Sequence, residues 1–139
     1  MATKVFASFL LAGCIASSAA LAEADGYPSM VGIWKGQSES VVLGDHQHHL
    51  TGTQEPRLSS VAFTFTVQGQ DGRRFWGVIE SPHFKEPVLA VFRSDAVTML
   101  AADSDGYPDG RLLGPDLLEL CYAQAGPTIV AGCTLLIRQ

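Results

Sequence analysis

"SVAFTFTVQGQDGRRFWGVIE", residues 60–80, decides how the chain folds. Val61, Phe63, Phe65 and Val67 alternate with Ala62, Thr64, Thr66 and Gln68. A period of two sends the apolar set to one face and the polar set to the other, the pattern of a half-buried strand. Gln70, Asp71 and Gly72 then give a tight-turn signal, because glycine accepts the positive φ that a short hairpin needs. "RRFWGVIE", residues 73–80, returns as the next strand. The stretch is a β-hairpin with one face toward a core.

The same reading extends in both directions. It places strands at about residues 30–43, 60–68, 73–80, 87–93, 96–102, 110–113, 117–123 and 128–138. Turn signals separate them: Ser94 and Asp95, "DSDGYPDG" at 103–110, "GPD" at 114–116 and "QAGP" at 124–127. No stretch after residue 29 carries a helical period. The expected fold is all-β. Eight consecutive strands with mostly short connections predict an up-and-down antiparallel barrel, whose closure removes exposed strand edges.

The N-terminal residues read differently. Lys4 precedes an apolar run at residues 5–16, and "SSAALA" at 17–22 ends in a small-x-small pattern. These features predict a signal peptide over residues 1–22, cut after Ala22. The apolar run is too short to span a bilayer as a helix. "LAGC", residues 11–14, offers another processing route, in which Cys14 becomes the lipid-bearing N-terminus of a lipoprotein. Residues 23–29 are expected to be a disordered lead-in, and residues 30–139 a single barrel domain. Either route takes the protein out of the cytoplasm, to the periplasm or beyond.

With residues 1–22 removed, Cys121 and Cys133 remain, and an oxidising compartment favours their pairing. Direct pairing across the last hairpin places Gln124 opposite Val130. The whole chain has a net charge of −5 at pH 7, and loss of Lys4 makes it more acidic. Such a chain lacks the basic face that nucleic acid or anionic lipid would require.

The pattern resembles the calycin superfamily, the lipocalins and especially the avidin-like barrels. "GIW" at 32–34 resembles the G-x-W opening of their first strand, which gives Gly32 and Trp34 a structural role. By the same resemblance, Arg138 is the basic residue that packs across that tryptophan. Residues 62–81 resemble an avidin hairpin, with G-x-x-E-S on the return strand. Avidins line their biotin pocket with several tryptophans, whereas this chain has only Trp34 and Trp76. The resemblance therefore implies the fold and not biotin binding. Small-barrel metalloprotease inhibitors are a second relative, and residues 23–29 would then serve as their N-terminal trunk.

In an up-and-down barrel, alternate connections share one rim. Residues 44–59, 81–86, 103–109 and 124–127 then form a long-looped mouth, and only tight turns close the other end. "GDHQHHL", residues 44–50, puts His46, His48 and His49 in that mouth beside Asp45. His83 lies in the second mouth loop, and Asp103, Asp105 and Asp109 in the third. Imidazoles with carboxylates suit a transition metal. The plainer reading of the same residues is a solvated polar loop. "DSDG" lacks the spacing of an EF-hand loop.

No nucleophile elbow, phosphate loop or H-E-x-x-H helix is present in the sequence. The sequence therefore predicts a secreted or periplasmic binding protein that is not an enzyme. Its expected ligand is a small apolar molecule held at the mouth. The alternatives are a protein-interaction module such as a protease inhibitor, and a metal-binding protein. Glu119 marks the outer face of the seventh strand. Ile129, Leu135 and Ile137 then face outward on the eighth, while Val130, Thr134, Leu136 and Arg138 face inward. That greasy outer strip predicts a homo-oligomer.

Overall fold

The computed structural model describes residues 26–49 and 55–139. The expected signal peptide, Cys14, residues 23–25 and Leu50 lie outside the described residues. The elements are β1 (Gly32–Leu43), β2 (Arg57–Ser59), β3 (Ala62–Asp71), β4 (Arg74–Glu80), β5 (Lys85–Phe92), β6 (Thr98–Ala102), β7 (Asp109–Gly114), β8 (Leu117–Gln124) and β9 (Ile129–Arg138). From β3 onward each strand pairs antiparallel with the next. β1 pairs with both β3 and β9, which closes the sheet into an eight-stranded barrel with β2 as an extra strand. No helix among the described residues is long and apolar enough to cross a membrane.

The short strand β2 corrects the expected 44–59 loop. Ser59 stands opposite Ser40, and Ala62 stands opposite Gln37, so β2 prolongs the line of β3 along β1. Ser60 and Val61 interrupt that line. There the hydroxyl of Ser60 donates to Ser38 O at 2.9 Å, and the Val61 N–H donates to the Ser38 hydroxyl at 3.1 Å. Side chains replace part of the ladder at the break, so its polar groups remain satisfied.

Alternation in the sequence becomes inside and outside in the barrel. Trp34, Phe63, Phe65, Val67, Phe75, Val88, Phe92, Met99, Leu118, Leu120 and Leu136 form a continuous core. Each large apolar side chain taken from water stabilises the fold by roughly 1.5–3 kcal/mol. Gly36 lies on β1 opposite Leu136 of β9. A Cβ there would meet the Leu135 carbonyl, so the close strand approach requires glycine.

The short-turn end is sealed. Trp34 is fully buried, and its indole N–H donates to Met30 O at 2.9 Å. The Arg138 guanidinium lies 4.1 Å from the centre of the Trp34 ring. It also donates to Val31 O at 2.9 Å and pairs with Asp116 at 3.0 Å. The expected arrangement of Trp34 and Arg138 is thus present. Residues 26–29 of the expected disordered lead-in are instead held against this end. Tyr27 stacks on Phe92 at 5.8 Å, and Pro28 O accepts from the Gln70 amide at 3.0 Å. Apolar contact and backbone hydrogen bonds order a stretch whose composition alone looked unstructured.

On β9, Ile129, Leu135 and Ile137 are about half exposed, while Val130, Thr134 and Leu136 are buried. Cys121 and Cys133 are direct partners and form a disulfide, and Gln124 stands opposite Val130. Replacing both cysteines with serine should lower unfolding stability by about 2–3 kcal/mol, because the bridge limits the unfolded chain. Denaturant titration measures the loss. Ready alkylation of both thiols in the native, non-reduced protein would contradict the bridge.

Candidate functional site

The mouth is covered by its own first loop. Gly44 has a φ of 81°, which turns the chain inward after β1. His46 and His49 then exchange backbone hydrogen bonds, N to O, at 3.2 and 3.0 Å. The Thr128 hydroxyl donates to Asp45 O at 2.7 Å and ties this turn to the start of β9. His46, His48 and His49 are 7%, 4% and 5% exposed. The solvated-loop reading is therefore overturned. Residues 44–49 bond to themselves and to Thr128, and the three buried histidines cap the core.

Each ring has a distinct setting. His48 packs edge-on to Phe63 and Phe84, with ring centres at 5.0 and 5.5 Å. Its Nδ1 is 2.7 Å from the Ser81 hydroxyl, and its Nε2 is 2.9 Å from Glu86 Oε1. The hydroxyl proton of Ser81 fits the Nδ1 lone pair, which leaves the Nε2 proton for Glu86. His49 Nδ1 is 2.9 Å from the Ser59 hydroxyl. His46 faces Tyr122 at 5.8 Å, and its Nδ1 accepts from His48 N–H at 3.3 Å. Its Nε2 forms no hydrogen bond, although Asp105 Oδ2 lies 3.4 Å away.

Ser81, His48 and Glu86 follow the order of a nucleophilic triad. The Ser81 oxygen is nevertheless buried, and it accepts from both His83 N–H and Phe84 N–H at 3.2 Å. Those bonds occupy the lone pairs an attacking oxygen would use. The arrangement fixes the second mouth loop to the first.

Carboxylates complete the mouth. Glu86 is 4% exposed on β5, and its Oε2 accepts from Ser104 N–H at 3.1 Å and from the Ser104 hydroxyl. Asp103 Oδ1 accepts from Asp105 N–H and Gly106 N–H at 3.2 and 2.8 Å, which shapes the third loop. Asp105 accepts from the Gln47 amide at 2.9 Å and from the Tyr122 hydroxyl at 3.1 Å. Burial raises the Asp103 carboxyl above its ordinary value, with the Glu86 and Asp105 charges acting the same way against its two backbone bonds. Burial and the neighbouring charges of Asp105 and Asp103 also raise the Tyr122 phenol. Glu86, Asp103 and Tyr122, with His46, His48, His49, Phe63 and Leu120, border a cavity of about 60 Å³, and Asp105 stands just outside its lining.

His83 lies at the same barrel end as His48, through their shared partner Ser81. Its side chain is exposed and does not border the cavity. Asp109 starts β7 and pairs with Arg93 at 2.6 Å away from the chamber. The expected imidazole cluster is not a ready ligand set: both His48 nitrogens are engaged, and the converging group found among the described residues contains no histidine. Glu86, Asp103 and Asp105 converge more closely, each offering an oxygen within 4.8 Å of the others. Sequence reading missed Glu86, although it shares the inward phase of Val88 and Phe92. An acidic residue in an otherwise apolar inward register was the available signal.

No protein-family model, curated protein or solved structure matches this chain.

The His49 imidazole is pushed down to about 4, first by burial and then by the charges of His46, His48 and His83. An unfolded histidine takes its proton near 6.5. Below that value the unfolded chain binds a proton that folded His49 refuses, so protonation favours unfolding. The stability His49 provides should be complete above about pH 7 and fall away progressively toward pH 4, by roughly 3 kcal/mol. His49→Gln should flatten this part of the profile. Equal pH slopes for the two proteins in urea titrations between pH 4 and 7 would disprove the assignment.

Proposed function

We propose that this is an exported, non-enzymatic binding protein whose ligand sits at the long-loop mouth. The observation that carries the reading is the contrast between the two barrel ends. One end is sealed by Trp34, Met30 and Arg138. The other holds a small chamber bordered by three histidines, two carboxylates and Tyr122. Ionisable groups are expensive to bury, and the fold places them where a ligand could engage them. The signal-like residues 1–22 and the Cys121–Cys133 disulfide support export.

The chamber also bears on the ligand's character. Small-molecule sites typically measure about 300–1,000 Å³. A cavity of about 60 Å³ suits an ion, a few waters or a small polar group. The apolar ligand expected from the sequence would need residues 44–49 to swing away and uncover Phe63 and Leu120. The proposal therefore favours a small polar occupant. Native mass spectrometry of the protein from its own host should show a retained added mass that is lost on denaturation. Bare protein mass, with no ligand-induced change in thermal midpoint across small-molecule and metal panels, would reject the reading.

A second contact surface is supported by the exposed Leu135 and Ile137 on β9 and Ile33 on β1, which lie outside the barrel. We propose homo-oligomer formation through this strip. Light scattering should give a mass above that of one chain at high concentration, and Leu135→Glu with Ile137→Lys should restore the single-chain mass. A wild-type protein that stays monomeric throughout would sink this assignment.

A further inference from the structure

We propose that the mouth chamber holds a divalent transition-metal cation, coordinated by Glu86, Asp103 and Asp105 together with His46 Nε2. The inference rests on the mouth-binding reading and gives its ligand a chemical class. It replaces the three-histidine set suggested by the spacing in "GDHQHHL" with a ligand set drawn from two loops and one strand.

Convergence is the first support. Glu86, Asp103 and Asp105 each contribute one oxygen, and all three oxygens lie within 4.8 Å of one another. Oxygens bound to one ion at about 2.1 Å lie roughly 3–4 Å apart, so a small inward adjustment reaches coordinating distance. Three like charges at this spacing repel in a site partly withdrawn from water. A divalent cation offsets that repulsion directly.

His46 provides an independent observation. The residue is more than nine-tenths buried, and its Nε2 makes no hydrogen bond while the residue borders the cavity that Glu86 and Asp103 also line. With the proton on Nε2, the ring approaches Asp105 Oδ2 at 3.4 Å, a pairing too loose to count as a hydrogen bond. With the proton on Nδ1, the ring gives up a long 3.3 Å contact from His48 N–H and turns an Nε2 lone pair toward the carboxylates. Among the described residues, Nε2 has no well-formed hydrogen-bond partner in either tautomer. A metal ion uses the Nε2 lone pair and selects the second tautomer.

The surrounding bonds also suit coordination. His48 and Ser104 hold Glu86, Tyr122 and Gln47 hold Asp105, and two backbone N–H groups hold Asp103. Each carboxylate oxygen has two acceptor positions, so one outer hydrogen bond can orient it while another lone pair meets the ion. One imidazole with three carboxylates favours manganese, iron or zinc over an all-oxygen calcium site.

The test uses the full disulfide-bonded chain, stripped with chelator and titrated calorimetrically with Mn²⁺ and Zn²⁺. One ion should bind per chain. His46→Ala and Asp103→Asn should each weaken binding at least tenfold, while His83→Ala and Asp95→Asn retain wild-type affinity. Asp103→Asn preserves an oxygen for the two backbone N–H groups, and circular dichroism checks its fold. Electron spin echo spectra of the Mn²⁺ complex should show one imidazole nitrogen, lost in His46→Ala. Unchanged affinity in Asp103→Asn, or a wild-type complex without nitrogen coupling, overturns the proposed ligand set. Failure to bind either cation overturns the metal itself. A metal-free protein that retains an organic mass in native spectra leaves the mouth-binding reading intact, whereas no retained species together with no response to either cation or to the small-molecule panel removes both.

Discussion

Pairing of the first strand with the last is the constraint on which the other features depend. Trp34–Leu43 of β1 runs beside Ile129–Arg138 of β9 without interruption. This ladder leaves neither strand as an open edge, and it gives every residue an inner or outer side. At one end it brings Arg138 over Trp34. At the other it brings Thr128 to Asp45, which draws the histidine loop down over the mouth. A sheet open at this seam would lose the basal seal and the anchored mouth together.

Polarity rises along the barrel axis. On the inner side of β5, Phe92 and Val88 lead to Glu86. On β8, Leu118 and Leu120 lead to Tyr122, and on β9, Leu136 leads to Thr134. The core near the base can therefore be dry, while the mouth must satisfy a set of buried polar atoms. Glu86 shows the requirement most clearly. An unpaired buried carboxylate would cost several kcal/mol, and His48 with Ser104 supplies the compensating hydrogen bonds. His48 is consequently as much a part of the fold as of the site.

Much of the barrel was legible because its rules are local. Alternation at Val61, Phe63, Phe65 and Val67 set a strand face, and Asp71 and Gly72 set a hairpin. The match of Cys121 to Cys133 fixed the last register. The break at Ser60 and Val61 was not legible, because it depends on Ser38 across the sheet. Nor was the order at residues 26–29, which comes from Phe92 and Gln70 far along the chain. The sequence placed the three histidines at the mouth but could not show that the loop folds inward. That outcome depends on the space above Phe63 and on Ser81 and Glu86 waiting there as partners. Glu86 itself went unnoticed because three of its neighbours in the site, Asp103, Asp105 and His46, come from other segments.

The site joins two kinds of support. Glu86 projects from a barrel strand and is held by His48 and Ser104. Asp103 and Asp105 project from a connection shaped by its own backbone hydrogen bonds. Gln47 and Tyr122 link that connection to the histidine loop and to β8. A strand position is set by ladders on both sides, whereas a loop position can shift without breaking the barrel. The ladders to β4 and β6 therefore fix β5, the strand of Glu86, and the aspartate loop is tied to Glu86 through Ser104 and to the disulfide-bonded hairpin through Tyr122. The two supports meet at the mouth while the β1–β9 seam is built from separate residues.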